Sequence, residues 1–197
     1  MSTIPFQLIP FGAGDSAPGS GRETLEITGT LAISDGTLQI TYRLRGDLGA
    51  LAIAPPASQP ERRDQLWQTT CLEVFLARPG QDDYWEYNLS SAGHWNVYHL
   101  DGYRRGLAPE PAYTQLPFQV QYDATQLTLV LQCPLPPAVT EGALAEPERK
   151  QGATRRLELG ITAVVQACDG SLSYWALSHP GPEADFHRRE GFSLQVP

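Results

Sequence analysis

Apolar side chains recur at every second position in many short runs along this chain, a period that fits strands with one face inward and not helix. Leu25, Ile27, Leu31 and Ile33 share one parity, Asp35-Gly36 follows as a turn, and Leu38, Ile40, Tyr42 and Leu44 alternate again. That pattern predicts a hairpin. Cys71 to Leu76, Tyr84 to Leu89 and His94 to His99 read as three more strands. Further strands are expected at Phe118 to Tyr122, Gln126 to Cys133, Arg156 to Ala167, Leu172 to Leu177 and Phe192 to Val196. Helical period with start and stop signals is missing except for a candidate near Glu141 to Lys150. Many short strands punctuated by turns predict an antiparallel β-sandwich or jelly roll. Proline and glycine mark long surface loops at residues 10 to 22, 54 to 65, 107 to 117 and 134 to 154.

At 197 residues and 41% hydrophobic, residues 1–197 are expected to form one domain with its own core. A net charge of −8 argues against nucleic acid, whose phosphates call for a basic stripe. The arginines fall singly or in isolated pairs, and Lys150 is the one lysine, a pattern of solvated surface. No apolar run approaches the roughly 20 residues of a membrane helix. The N-terminal residues lack a positive region and are broken by Pro5 and Pro10, so the expected location is the cytoplasm. Cys71, Cys133 and Cys168 are odd in number and widely spaced, as reduced thiols are.

Residues 67 to 105 hold three of the four tryptophans and four of the eight tyrosines, interleaved with Glu73, Glu86, Asn88, His94, Asn96 and Arg104. Flat apolar rings beside amides and carboxylates suit a sugar, because a pyranose offers an apolar C–H face and a polar hydroxyl rim. Alternation puts Leu72, Val74 and Leu76 on one face of their strand and Glu73 on the other, with Cys71 and Phe75. By the same parity Trp85, Tyr87 and Leu89 oppose Tyr84, Glu86 and Asn88, and Trp95, Val97 and His99 oppose His94, Asn96 and Tyr98. If the three strands are neighbours, Glu73, Glu86, Asn88, Asn96 and Tyr98 line one face of a sheet. Trp85 falls with the core set, and Trp175 is balanced between core and surface. Trp67, in a polar loop, and Trp95, after the Ser90 to Gly93 turn, are the expected exposed rings.

Enzymatic readings have less to stand on. Glu73 and Glu86 could serve as the two carboxylates of a glycoside hydrolase, but a sequence does not fix their separation. His179, Asp185 and His187 lie in loop sequence that could converge on a metal. No nucleophile elbow or phosphate-binding glycine loop is present, and Cys71 sits in an apolar strand where a thiol is not activated. Met1 is the one methionine, which removes a haem with a methionine axial ligand. No cofactor is called for.

The strings LEVFL (Leu72 to Leu76), YWEYNLSSAGHWNVYHLDGYRRG (Tyr84 to Gly106), YWALSHP (Tyr174 to Pro180) and DFH (Asp185 to His187) resemble bacterial DOMON-like proteins related to family 9 carbohydrate-binding modules. The resemblance implies a β-sandwich with a site of the sugar- or haem-binding kind, and it supplies no activity. Glu73 and Asn88 match the group's regular polar positions, and Trp95, Asn96, Arg104 and His179 its wider pattern. The expectation is a non-catalytic domain for a carbohydrate or similar polyhydroxylated small molecule. Its site would be built from Glu73, Asn88, Trp95, Asn96 and Arg104, with Trp67, Trp175 and His179 at the rim. A hydrolase on the same scaffold and a module that docks a partner protein remain the alternatives.

Overall fold

The computed structural model describes residues 3–12, 25–141 and 156–196. Their strands, in chain order, are β1 (Ile4–Gln7), β2 (Ile9–Pro10), β3 (Glu26–Ser34), β4 (Thr37–Arg45), β5 (Cys71–Ala77), β6 (Tyr84–Ser90) and β7 (Trp95–Leu100). After them come β8 (Ala108–Pro109), β9 (Phe118–Tyr122), β10 (Gln126–Pro134), β11 (Leu157–Gln166), β12 (Leu172–Ala176) and β13 (Leu194–Val196). One helical turn, α1 (Pro137–Glu141), follows β10, and the helix expected near Glu141 to Lys150 falls almost wholly outside the described residues.

The strands form an antiparallel β-sandwich. One sheet runs β1-β3-β4-β10-β9 and the other β2-β12-β11-β5-β6-β7-β8, with β13 also paired to β11. The chain passes from one sheet to the other between β1 and β2, at buried Leu8. The hairpin predicted around Asp35-Gly36 forms with Ser34 opposite Thr37, and both turn residues take positive φ, as a two-residue turn matched to strand twist requires. The inter-sheet core comes from the predicted inward sets: Ile27, Leu31, Ile40, Tyr42 and Leu129 from the first sheet meet Leu72, Val74, Tyr87, Val97 and Ile161 from the second. Tyr42 also ties the layers polarly, its hydroxyl donating to the backbone carbonyl of Glu73 at 2.6 Å.

The outer faces differ. In the first sheet the residues facing away from the core are partly or fully exposed, as on β4 and β10. In the second, β5 and β6 are buried on both faces along their whole length. A second apolar cluster lies on the outer side of that sheet, where Phe75, Ala77, Tyr84, Tyr98 and Leu100 pack beneath Phe192, with Trp67 and Phe186 against them. Loops therefore cover this face, and the candidate site is built under that cover.

Gly29 shows how tightly the first sheet is fitted. It faces inward on β3 between Phe6 of β1 and Tyr42 of β4. A Cβ there would stand 2.1 Å from the Thr41 carbonyl oxygen and 2.3 Å from the Phe6 ring. The absent side chain is the space that Phe6 fills, edge-on to Tyr42 at 5.4 Å between ring centres. Gly29→Ala is expected to cost about 3 kcal/mol, the upper range for overpacking. An unchanged urea midpoint would show that β1 yields freely.

Candidate functional site

Strand register brings the polar positions together. Glu73 on β5 lies opposite Thr162 on β11 and Asn88 on β6, and Asn88 lies opposite Asn96 on β7. The adjacent row runs Gly160, Phe75, Glu86, Tyr98. Opposed residues in antiparallel strands share a face, so Glu73, Glu86, Asn88, Asn96 and Tyr98 do line one face of the sheet, its outer one.

A pocket of about 490 Å³ opens over these rows. Glu73, Glu86 and Phe75 form its floor, Trp67 and Gln68 lie on one wall, and Tyr174, Leu172 and Phe186 on another; Arg104, Leu107 and His187 are among the other lining residues. Leu107, Leu172 and Tyr174 are among the exposed large apolar side chains of the described residues, at 48%, 38% and 37%, and all three converge on this one mouth. Apolar groups gathered at the rim of a polar-floored concavity are what a ligand site presents.

The loop that carries Trp67 is pinned by the polar row. Arg62 donates to Asn96 Oδ1 at 2.6 Å and to the carbonyls of Val97, Glu110 and Tyr113. Asn96 Nδ2 donates to the Arg63 carbonyl and to Asp64 Oδ1, and the Tyr98 hydroxyl donates to the same oxygen at 2.7 Å. Gln65 then turns through a left-handed conformation into a short 3-10 turn at Leu66–Gln68. Leu66 is buried there, and Trp67 stands edge-on to Tyr98 at 5.9 Å.

Arg104 comes from the tight turn between β7 and β8. The turn closes through Asp101 N–H to the Arg105 carbonyl and Arg105 N–H to the Gly102 carbonyl. Gly106 has positive φ, and a Cβ there would come within 2.2 Å of the Asp101 carboxylate, so only glycine fits. From this turn Arg104 reaches Asp185 at 2.9 Å, and the Tyr103 hydroxyl donates to the other oxygen of Asp185 at 2.6 Å. Asp185 thereby latches the turn to the segment that holds Phe186 and His187.

The floor is electrostatically unusual. Glu73 and Glu86 are 2% and 4% exposed. Glu73 Oε2 accepts from the Thr162 hydroxyl at 2.8 Å, and Glu86 Oε1 accepts from Asn88 Nδ2 at 2.8 Å. Burial lifts both carboxyls well above the usual range, into the neutral region, because charge is disfavoured away from water. The Glu86 charge raises Glu73 further, while Asn88 and Arg104 partly offset the rise at Glu86. His187 shares a 2.8 Å hydrogen bond with the Tyr84 hydroxyl. Burial, helped by the nearby Arg104 charge, lowers its pKa to about 4, so its ring is neutral at physiological pH.

The expected site residues thus divide. Trp67, Glu73 and Arg104 line one pocket, and Asn88 stands directly behind it as a donor to Glu86. Asn96 is fully buried and its amide is spent on the Trp67 loop. Trp95 corrects the expectation of an exposed ring. It lies opposite Leu89 on the inner face, is 4% exposed, and packs beneath the Arg62 guanidinium at 4.4 Å. Strand parity, not nearness to a turn, decides where that ring goes. Trp175 is likewise buried in the inter-sheet core, opposite Ala163, and Trp85 is core as expected. His179 stands apart from the pocket, donating from Nε2 to the Ile9 carbonyl at 3.0 Å beside Phe11. It does not join Asp185 and His187, and the described residues contain no group of three His, Cys, Asp or Glu placed to hold a metal.

Sequence reasoning left Phe75, Thr162, Tyr174, Phe186 and His187 out of the binding set. Phe75 was within reach, sharing Glu73's parity, whereas the others arrive from β11, β12 and a distant loop. Beyond His187 lies a second concavity of about 580 Å³, lined by Arg105, Arg188, Arg189, Asp82 and Glu190 among others. Its charge is of mixed sign, with Arg189 paired to Glu158 and Arg188 to Asp185, and neither glutamate of the floor reaches it.

No protein-family model matches the chain, and no curated sequence does. Among solved structures it is similar to a protein from Bacteroides uniformis ATCC 8492 provisionally described as carbohydrate-binding. The two share 12% identity, the likeness covers 99% of this chain and 85% of that one, and the TM-score is 0.61. At that identity the likeness is one of fold.

The buried glutamates give stability a pH dependence with a defined sign. Their folded pKa values exceed the unfolded value, so the native state binds more protons between the two. Their contribution is full below about pH 4.3 and is lost as pH rises through neutrality. Glu73→Gln is expected to gain on the order of 2 kcal/mol over wild type at about pH 8.5, roughly 4–8 °C in Tm, and nothing near pH 4. His187 pulls the opposite way at acid pH, so the difference between wild type and variant in a pH series of thermal unfolding is the quantity to read. A difference independent of pH would mean that Glu73 is ionised throughout.

Proposed function

We propose that this protein is a non-catalytic binding domain for a carbohydrate or a similar polyhydroxylated small molecule, held in the outer-face pocket between Trp67 and Tyr174. The observation that carries this reading is the pairing of ring walls with a floor of hydrogen-bonding carboxylates in one open concavity. Trp67, Phe75, Tyr174 and Phe186 supply apolar surface for the C–H face of a sugar ring, and Glu73, Glu86 and Arg104 supply acceptors and a donor for hydroxyls. A volume of about 490 Å³ suits one or two sugar rings. The resemblance of the LEVFL and YWALSHP strings to DOMON-like proteins related to family 9 carbohydrate-binding modules supports the same class of ligand. So does the provisional description of the Bacteroides uniformis protein with this fold. Asn88 and Asn96 act here as positioning residues, one orienting Glu86 and the other holding the Trp67 loop.

A second reading, hydrolysis of a glycoside by Glu73 and Glu86, draws on one observation: both carboxyls lie at the floor of the same pocket, and burial keeps them protonatable at neutral pH. Turnover of saccharides that bind, abolished in both Glu73→Gln and Glu86→Gln, would favour it over simple binding.

Titration of the protein with a panel of mono- and oligosaccharides, followed by tryptophan fluorescence and calorimetry, tests the primary reading. At least one saccharide is expected to bind with Kd better than about 1 mM. Trp67→Ala and Tyr174→Ala should each weaken it about tenfold, the value of one stacking ring. Folded protein with no saccharide affinity at that level would end the carbohydrate reading.

A further inference from the structure

Resting on that reading of the pocket, we infer that its preferred ligand carries a protonated amine, seated over Glu86 and Glu73, so that an amino sugar is favoured over the neutral sugar of the same shape.

The argument begins with the unfilled valence of the floor. Two carboxylate oxygens have protein donors: Glu73 Oε2 receives the Thr162 hydroxyl and Glu86 Oε1 receives Asn88 Nδ2, while the Cys71 thiol, set toward Asn88 Oδ1 at 3.6 Å, lies near the Glu73 carboxyl. Glu86 Oε2 is different. It accepts no protein hydrogen bond among the described residues, and His187 Nε2 stands 4.0 Å away, beyond hydrogen-bond reach. Among the described residues, the one fully shielded side-chain polar atom that lacks a partner is Arg78 Nε. Glu86 Oε2 therefore faces open space, and the space it borders is the pocket. An acceptor on a side chain 4% exposed, aimed into a cavity, calls for a donor from outside the protein.

Charge selects the kind of donor. Where the pair is ionised, a hydroxyl satisfies the oxygen and leaves the buried charge uncompensated, whereas an ammonium does both. The protein offers little compensation itself. Arg104 is engaged by Asp185 at 2.9 Å, and His187 is neutral and bonded to Tyr84. The other titratable groups near the pair are Tyr42, Cys71, Tyr84 and Tyr98, all neutral near pH 7 because burial raises each of them, and the acidic Asp185. The walls agree with the floor: Trp67, Tyr174 and Phe186 border the same space, and aromatic rings attract an ammonium.

A pH dependence follows. The empty pair holds protons into the neutral range, and a bound ammonium favours the ionised carboxylates, so binding displaces protons. Affinity for the amine then rises with pH until the empty pair is fully ionised or the ligand amine itself loses its proton.

The test is calorimetry on the full chain with glucosamine, glucose, N-acetylglucosamine and cyclohexylamine, at about pH 5.5 and about pH 7.5. Glucosamine is expected to bind at least about tenfold more tightly than glucose or N-acetylglucosamine at the higher pH, with the margin shrinking at the lower. Glu86→Gln should abolish that preference, its folding checked by thermal unfolding. The wild-type ligand series reads the preference without any variant. Equal binding of glucose and glucosamine would overturn the amine inference and leave the carbohydrate reading standing. Binding of cyclohexylamine without any of the three sugars would support the amine inference, with the wider saccharide panel deciding the carbohydrate reading, and binding of none of the four would overturn the amine inference.

Discussion

Burial of the central strands of the larger sheet on both faces is the constraint on which the rest of this structure depends. A sheet in a two-layer sandwich needs to bury only its inner face, and the smaller sheet does just that. β5 and β6 are covered on the outside as well, so their outward residues face a partly dry environment under loops. Half of that environment is apolar, with Phe75, Tyr84 and Tyr98 under Phe192. The other half is polar and has to satisfy itself, and its row of Thr162, Glu73, Asn88 and Asn96 does so mostly by internal hydrogen bonds.

The loops that make the cover are held by the groups they cover. Asn96 and Tyr98 reach up to Asp64 and fix the approach to Trp67, and the Glu61 N–H is received by His94 Nδ1. From the other side Asp185 joins the Tyr103–Arg104 turn to the Phe186–His187 segment. Several interactions at one carboxylate or one guanidinium make each loop's position depend on the sheet beneath it, and this holds aromatic walls around a gap that the loops leave open. The gap is where the two glutamates meet solvent. Neutralising neighbours are either occupied or uncharged, so the carboxyls of the floor resist ionisation.

Much of this was legible in the chain. The parity of Leu72, Val74 and Leu76 against Glu73, and of Trp85, Tyr87 and Leu89 against Glu86 and Asn88, is reproduced residue for residue in the two faces of β5 and β6. The Asp35-Gly36 hairpin followed from local backbone preference alone. At Trp95 two local cues conflict, and the structure follows strand parity. The same alternation that put it with Val97 put it inside, and the neighbouring Ser90–Gly93 turn carried no information about facing. Asn88 and Asn96 look alike as sequence, and only their partners separate an amide that orients a pocket carboxylate from one that fastens a loop.

By itself the sequence determined which side chains share a face, because alternation is a property of one strand's backbone and needs no partner. Tertiary structure alone decided which strands lie side by side, which face lies under loops, and whether a given ring is wall or core. Those outcomes join residues as far apart as Glu73 and Thr162, or Tyr103 and Asp185. Contacts across such separations arise when the whole chain minimises exposed apolar surface and unpaired polar groups together, and no local pattern encodes them.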